Sequence, residues 1–254
     1  MAVAARLEQA YRVRFDESGP HGTLPGSGFL RYAQDLAWVH SEAAGFGRAW
    51  YRERGLTWLI RAVELDVLEE VEYGSHLDAS TEVLGFRRVW ARRRSEFTRQ
   101  GMERDVAGAL IDWVLLNERG SPVRVPPEIV RILGDDGRAA FTPLRVDLPT
   151  APADASTFKL SVHRGELDPL NHVNNAAYLD YMDDHLVSAG RTAEIGRLPR
   201  RYRVEFVAPA EPGMSLVGRG WDDERTWCYR LETADGRELV RARLETDPAL
   251  WVGG

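Results

Sequence analysis

VRFDESGPHGTLPGSGFLRY, residues 13–32, and VHRGELDPLNHVNNAAYLDY, residues 162–181, read as one pattern written twice. Laid together without gaps at an offset of 149 residues, they match at Val13/Val162, Glu17/Glu166, Pro20/Pro169, Leu30/Leu179 and Tyr32/Tyr181, with Phe29 facing Tyr178. Self-similarity at a fixed spacing outranks local propensity, because it sets the unit that must fold before any element is assigned. The order that follows is shared as well. Each copy continues into an apolar helical stretch and then a strand-like run holding Val-Glu-apolar, RAVELDV around Glu64 and YRVEFVA around Glu205. Each returns through a turn signal, RQGME at Gly101 and ADGRE at Gly236, between alternating segments, as a hairpin requires.

The helical stretches decide the architecture. Phe29, Leu30, Ala33, Leu36, Ala37 and Val39 in the first copy, and Ala176, Ala177, Tyr178, Leu179, Tyr181, Met182, Leu186 and Val187 in the second, spread beyond one narrow apolar stripe. A helix apolar on several sides needs cover on several sides. A strongly curved antiparallel sheet supplies it, and the strand-like runs after each helix supply the sheet. The expected class is therefore α+β, with an N-terminal domain over 1–140 and a C-terminal domain over 141–254. They are joined by the Gly-, Pro- and Asp-rich stretch from Gly134 to Ser156, where periodicity breaks.

Bulk properties limit the function. With 44% hydrophobic and 28% charged residues in 254, the chain can build real cores, and a formal charge of −6 argues against a general nucleic-acid binder. One cysteine, Cys228, excludes an internal disulfide and any multi-thiolate metal site. No apolar run approaches the roughly 20 residues that span a bilayer, and the opening MAVAARLEQAYRVRF lacks the pattern of a secretory leader, so no membrane partner and a cytoplasmic location are expected. No Gly-rich phosphate loop or zinc-ligand spacing occurs, so no cofactor and no metal are expected.

In the second copy, Asp168, Asn171, His172, Asn174 and Asn175 gather just before the apolar helix, where each polar side chain is costly to bury unbonded. Taken singly, Asp168 or Asn174 reads as a helix cap, His172 as a structural histidine, and Glu205, alternating with Val204 and Phe206, as a solvent-facing strand residue. Taken together, with HVNN ahead of the helix and YRVE on the next strand, they read as a site. The first copy has Gly19, Thr23, Pro25 and Gly26 opposite Asp168, His172, Asn174 and Asn175, with His21 out of register, which implies one site per chain.

The Asp-x-x-x-His-Val-Asn-Asn-x-x-Tyr entry from Asp168 to Tyr178, with Tyr-Arg-x-Glu at 202–205, resembles the acyl-acyl-carrier-protein (acyl-ACP) thioesterases, over about residues 10 to 250. That resemblance implies two tandem hot-dog domains, each a long central helix wrapped by a curved antiparallel sheet, with the chemistry on the second. It carries over Asp168, His172 and Glu205 as catalytic residues. The family's loop asparagine falls on Leu170, leaving Asn171 as the adjacent substitute, and Phe206 stands where plant members have cysteine. It also implies release of a free fatty acid, with acyl carrier protein or a coenzyme A thioester as substrate partner, no nucleic-acid partner, and a monomer (an internal hot-dog pair) or a homodimer.

The expected chemistry follows from thioester hydrolysis. Amides near Asn174, Asn175 and Ala176 at a helix start can hold the thioester oxygen, with Tyr178 beside them in substrate binding. His172 with Asp168 or Glu205 can activate water, Asn171 or Asn175 orienting it, or Glu205 can attack directly. Two Arg runs, Arg87, Arg88, Arg92, Arg93, Arg94 and Arg197, Arg200, Arg201, Arg203, are candidate docking patches for an acidic carrier. The competing readings are a hydratase or dehydratase of the same fold, whose Asp-x-Asn-Pro-x-His spacing differs from the one here, and a non-catalytic acyl-binding subunit.

Overall fold

A computed structural model describes residues 5–134 and 141–248. Residues 135–140, part of the expected connector, and residues 1–4, where the stretch read for a leader begins, lie outside them, as do 249–254. The chain forms two compact units, Met1–Val63 with Glu70–Leu144, and Glu64–Glu69 with Arg145–Gly254. The division thus falls at Leu144/Arg145 instead of 140/141, and a six-residue segment of the first half is grouped with the second unit.

The first unit runs β1 (Arg6–Arg12), a 3-10 turn (Phe15–Glu17), α1 (Gly26–Ala43), α2 (Arg48–Glu53), β2 (Leu56–Val67), β3 (His76–Arg87), β4 (Trp90–Arg99), β5 (Asp105–Asn117) and α3 (Pro127–Leu133). The second runs β6 (Ser156–Ser161), a 3-10 turn (Arg164–Glu166), α4 (Ala177–Ser188), α5 (Thr192–Gly196), β7 (Arg200–Phe206), β8 (Ser215–Asp223), β9 (Thr226–Thr233) and β10 (Glu238–Glu245). Strands lie in the order β1-β3-β4-β5-β2 in the first and β6-β8-β9-β10-β7 in the second, the same order, and the registered pairs are antiparallel. Gly101 and Gly236 turn the β4–β5 and β9–β10 hairpins at φ 78° and 88°, a backbone region that glycine enters without steric cost.

In each unit the long helix is the core. Phe29 of α1, fully buried, meets Phe97 of β4 edge-on at 5.4 Å. Around α4, Tyr178 meets Phe206 of β7, and His185 meets Phe158 of β6 and Trp227 and Tyr229 of β9. Contacts from three strands to one helix are what a helix apolar on several faces requires.

The repeat extends to individual bonds. Tyr32 donates its hydroxyl to Glu17 at 2.6 Å and Tyr181 donates its own to Glu166 at 2.6 Å. The same glutamates accept the amides of Arg14 and His163. The Gly22 amide donates to the Gly19 carbonyl and the Asn171 amide to the Asp168 carbonyl, both at 2.9 Å. The Glu/Tyr matches in the two copies therefore mark the strut that ties each post-strand loop to its helix. Tyr181→Phe removes a hydrogen bond to a charged acceptor and is expected to cost about 1.5 kcal/mol, read as a lower urea midpoint at unchanged slope.

Candidate active site

The loop from Leu167 to Ala176 is built by its own polar groups. The Asn171 amide closes a turn on the Asp168 carbonyl, the Asp168 amide donates to the His172 carbonyl at 2.8 Å, and Asn171 takes φ 60°. Asparagine tolerates this left-handed region, where the first copy has Gly22 at φ 72°. The Asp168 carboxylate accepts the amides of Leu170 at 2.8 Å and His172 at 3.3 Å, so its first task is to hold the turn. Leu170, at the family's asparagine position, is 48% exposed. Val173 bridges Leu167 and donates its amide to Ala210, which pins the far side of the loop.

Just ahead of α4, Asn174 closes a local turn onto the residues that begin the helix. Its side-chain oxygen accepts the Ala176 amide at 2.9 Å and its carbonyl accepts the Ala177 amide at 2.9 Å. The Ala176 amide, expected to hold a thioester oxygen, is thus already used, and Ala176 is fully buried. Tyr178 is also committed inward. It is 3% exposed, its hydroxyl accepts the Ala210 amide, its ring packs edge-on against Phe206 and Tyr181, and burial pushes its pKa up to about 12. The corner beneath the loop is therefore filled by rings. A concavity of about 430 Å³ in the second unit is lined by Arg191, Asp222, Arg225, Trp227, Leu244 and Asp247 among others, and by no residue of this loop.

What the loop leaves unspent is more informative. Among the described residues, the His172 imidazole, the Asn171 carboxamide, and both the carboxamide and the backbone amide of Asn175 make no hydrogen bond. All three residues are at least partly exposed. A base, two amide side chains and a free N–H at a helix start share one braced turn.

Glu205, expected beside them, lies on the other face of its strand. On β7, Tyr202 donates to Asp183 of α4 and Phe206 packs on Tyr178 of α4, so 202, 204 and 206 face the helix. Strand alternation turns Glu205 to the opposite face with Arg201 and Arg203. There it is 3% exposed, ion-paired to Arg145 at 2.6 Å and bonded to the Val146 amide at 3.1 Å. It thus faces away from the helix and is engaged by Arg145 and the Val146 amide. Glu64, its counterpart in the first copy, is likewise spent on Arg201 and Arg203.

Much of each Arg run, read as a candidate docking patch, is ion-paired within the chain. Arg92 grips Asp112 through two bonds, Arg94 pairs with Glu82 and Glu96, Arg201 grips Asp66, and Arg197 pairs with Glu194. Arg93 and Arg200 are buried. Cys228 is a buried thiol that desolvation pushes up to about 11, which makes it inert at neutral pH.

Asp183, opposite Tyr202 on the central helix, escaped the sequence reading, because one Asp in DYMDDHL looks like any solvated face. Burial raises its carboxyl to about 7, against the counter-pull of Arg200 and the Tyr202 hydroxyl, with Asp180 and Asp184 adding to the rise. The folded pKa lies above the unfolded one, so the folded state holds a proton that the unfolded chain releases. Stability from this group is present at low pH and falls between about pH 4 and 7. Asp183→Asn is expected to flatten that part of the stability–pH curve, measured by urea unfolding at pH 4.5, 6 and 7.5.

Among the described residues, no helix is long and apolar enough to cross a membrane. The family model for the acyl-ACP thioesterase N-terminal domain matches residues 5–133. Among solved structures, an acyl-ACP thioesterase from Bacteroides thetaiotaomicron is 16% identical with a TM-score of 0.79, covering 96% of this chain and 98% of its own. The 12:0-ACP thioesterase from Umbellularia californica is 17% identical with a TM-score of 0.78, covering 95% and 97%. At such identities the likeness carries the fold, a hot-dog one. No curated protein matches.

Proposed function

The chain belongs to the acyl-ACP thioesterase family and is a thioester hydrolase, and from that premise we propose that it is a tandem hot-dog pair whose second unit hydrolyses acyl-ACP at the Asp168–Asn175 loop. His172 takes a proton from the attacking water, and the carboxamides of Asn171 and Asn175 orient that water and the substrate. The free Asn175 amide, at the positive end of α4, stabilises the charge that develops on the thioester oxygen. Asp168 acts through the loop: by accepting the amides of Leu170 and His172 it fixes where the imidazole stands. Asn174 closes the turn ahead of α4 through the Ala176 amide, and the Asn175 amide stays outside the intrahelical ladder. Glu205 and the Ala176 amide have no step in this scheme.

The observation that carries the reading is the coexistence, on one braced turn, of an unbonded imidazole and an unbonded helix-start amide. Both are within reach of solvent and of a substrate, and neither is used to hold the loop. The test is release of free thiol from matched acyl-ACP and acyl-CoA panels. Faster turnover of the carrier-bound set supports the preference. Faster turnover of the coenzyme A set refutes the carrier preference and leaves the hydrolase, and reversible hydration of enoyl thioesters without thiol release refutes the reading altogether.

A further inference from the structure

Within the first unit, one arginine of the FRRVWARRRSEF run lies inside the fold. Ala91, Arg93, Ser95 and Phe97 alternate on the face of β4 that carries Phe97 against Phe29 of α1, and Arg93 is 7% exposed. Its Nη1 donates to His40 Nδ1 of α1 at 2.9 Å and to the Thr81 hydroxyl at 3.4 Å, and Thr81 also accepts the Ser95 hydroxyl. These acceptors are neutral. No carboxylate among the described residues pairs with Arg93, and desolvation lowers its pKa to about 10 against a smaller opposing pull from the Tyr51 hydroxyl.

A buried guanidinium without an anion is unusual, since taking it out of water costs several kcal/mol that only a matched charge recovers. The same chain shows what the guanidinium ordinarily does. Arg92 offers Nε and Nη2 to the two oxygens of Asp112 at 2.7 and 2.8 Å, and Arg201 offers the same edge to Asp66 at 2.5 and 2.7 Å. In Arg93 that edge, two parallel N–H groups spaced for a carboxylate, makes no hydrogen bond among the described residues, while the other edge is anchored by His40 and Thr81. Close by, Tyr51 is bonded to the Ser41 hydroxyl and the Trp58 indole, and packs with Phe46 and Trp50 in one apolar cluster.

We propose that Arg93 is the receptor of an internal anion site in the first unit, taking the carboxylate of an amphipathic ligand whose apolar body lies against the neighbouring aromatic side chains. His40 and Thr81 fix the plane of the guanidinium, and the open edge binds the two oxygens side by side. The site does not depend on the second unit's chemistry, and its ligand is identified by charge and shape: a monocarboxylate with a hydrocarbon tail, or free phosphate engaging the same edge.

The test is calorimetric binding to the full-length protein of decanoate, of decanol as the uncharged twin, and of inorganic phosphate, with Arg93→Met, Arg93→Lys and His172→Ala beside the wild type. Decanoate is expected to bind at least about tenfold more tightly than decanol. That advantage should vanish in Arg93→Met, shrink in Arg93→Lys, where the fork is lost and the charge kept, and persist in His172→Ala. Phosphate binding that depends on Arg93 and matches decanoate assigns the site to free anions and removes the hydrocarbon tail from the proposal. Equal affinity for decanoate and decanol in the wild type overturns the site even if Arg93→Met fails to fold. So does an advantage that disappears in His172→Ala and survives in Arg93→Met. Hydrolysis of acyl-ACP is scored separately, so loss of the thioesterase reading leaves this result standing.

Discussion

His172→Ala lowers kcat/KM for acyl-thioester hydrolysis by about 10²- to 10⁴-fold, the range that a positioned general base contributes. The unfolding midpoint stays where it is. Both halves of this expectation come from the same geometry. The loop is held by backbone bonds between Asp168 and His172, by the Asp168 carboxylate on two amides, and by the Glu166–Tyr181 strut, none of which uses the imidazole. Removing the ring therefore takes away chemistry and no scaffold. Asp168→Ala behaves differently: it frees two amides of the turn, so both activity and stability fall. His21, on a first-copy loop that has Gly19 and Thr23 opposite Asp168 and His172, serves as control, and His21→Ala leaves the rate unchanged. Equal losses from His172→Ala and His21→Ala would remove the assignment of one site to the second unit.

The parts of this molecule that the sequence displays are those set by period and by local chemistry. An offset of 149 residues announces two like units, and it holds down to the Tyr32–Glu17 and Tyr181–Glu166 bonds. Gly101 and Gly236 mark hairpins because few other residues accept their φ. The DPLNH turn is legible because Asp and Asn bond their own backbone. What stays hidden is direction. Glu205 and Arg93 are both charged residues on strands, and whether position 205 faces α4 or the other side depends on a register that only the packing of Tyr202 and Phe206 on α4 decides. The alternation with Val204 and Phe206 was the available signal, and it pointed away from the helix. For Arg93, five arginines in one short run suggest a surface; the strand period puts one of them inside, where composition gives no warning. Arg145, the partner that explains Glu205, lies 60 residues away in an irregular segment with no pattern to connect them.

Glu205→Ala separates the family-derived role of this glutamate from the one its geometry supports. If the residue activated water or attacked the thioester, Glu205→Gln would fold normally and lose turnover by orders of magnitude. The structure gives the opposite expectation. Arg145 has 56% of its side chain exposed, so the ion pair contributes at most about 1 kcal/mol. The larger loss is the Val146 amide, whose residue is 4% exposed and which would be left without an acceptor, a cost of about 1–3 kcal/mol. Glu205→Ala should then destabilise the protein by about 2–3 kcal/mol, which for a domain of this size lowers Tm by about 5–10 °C. Glu205→Gln keeps an oxygen for Val146 and loses about 1 kcal/mol. Assayed well below their midpoints, both variants should keep kcat/KM within about threefold of wild type, because neither touches the His172 side of the strand. Arg145→Met, which removes the exposed partner alone, should sit near the milder variant. A folded Glu205→Gln with a hundredfold lower kcat would return the carboxylate to the reaction.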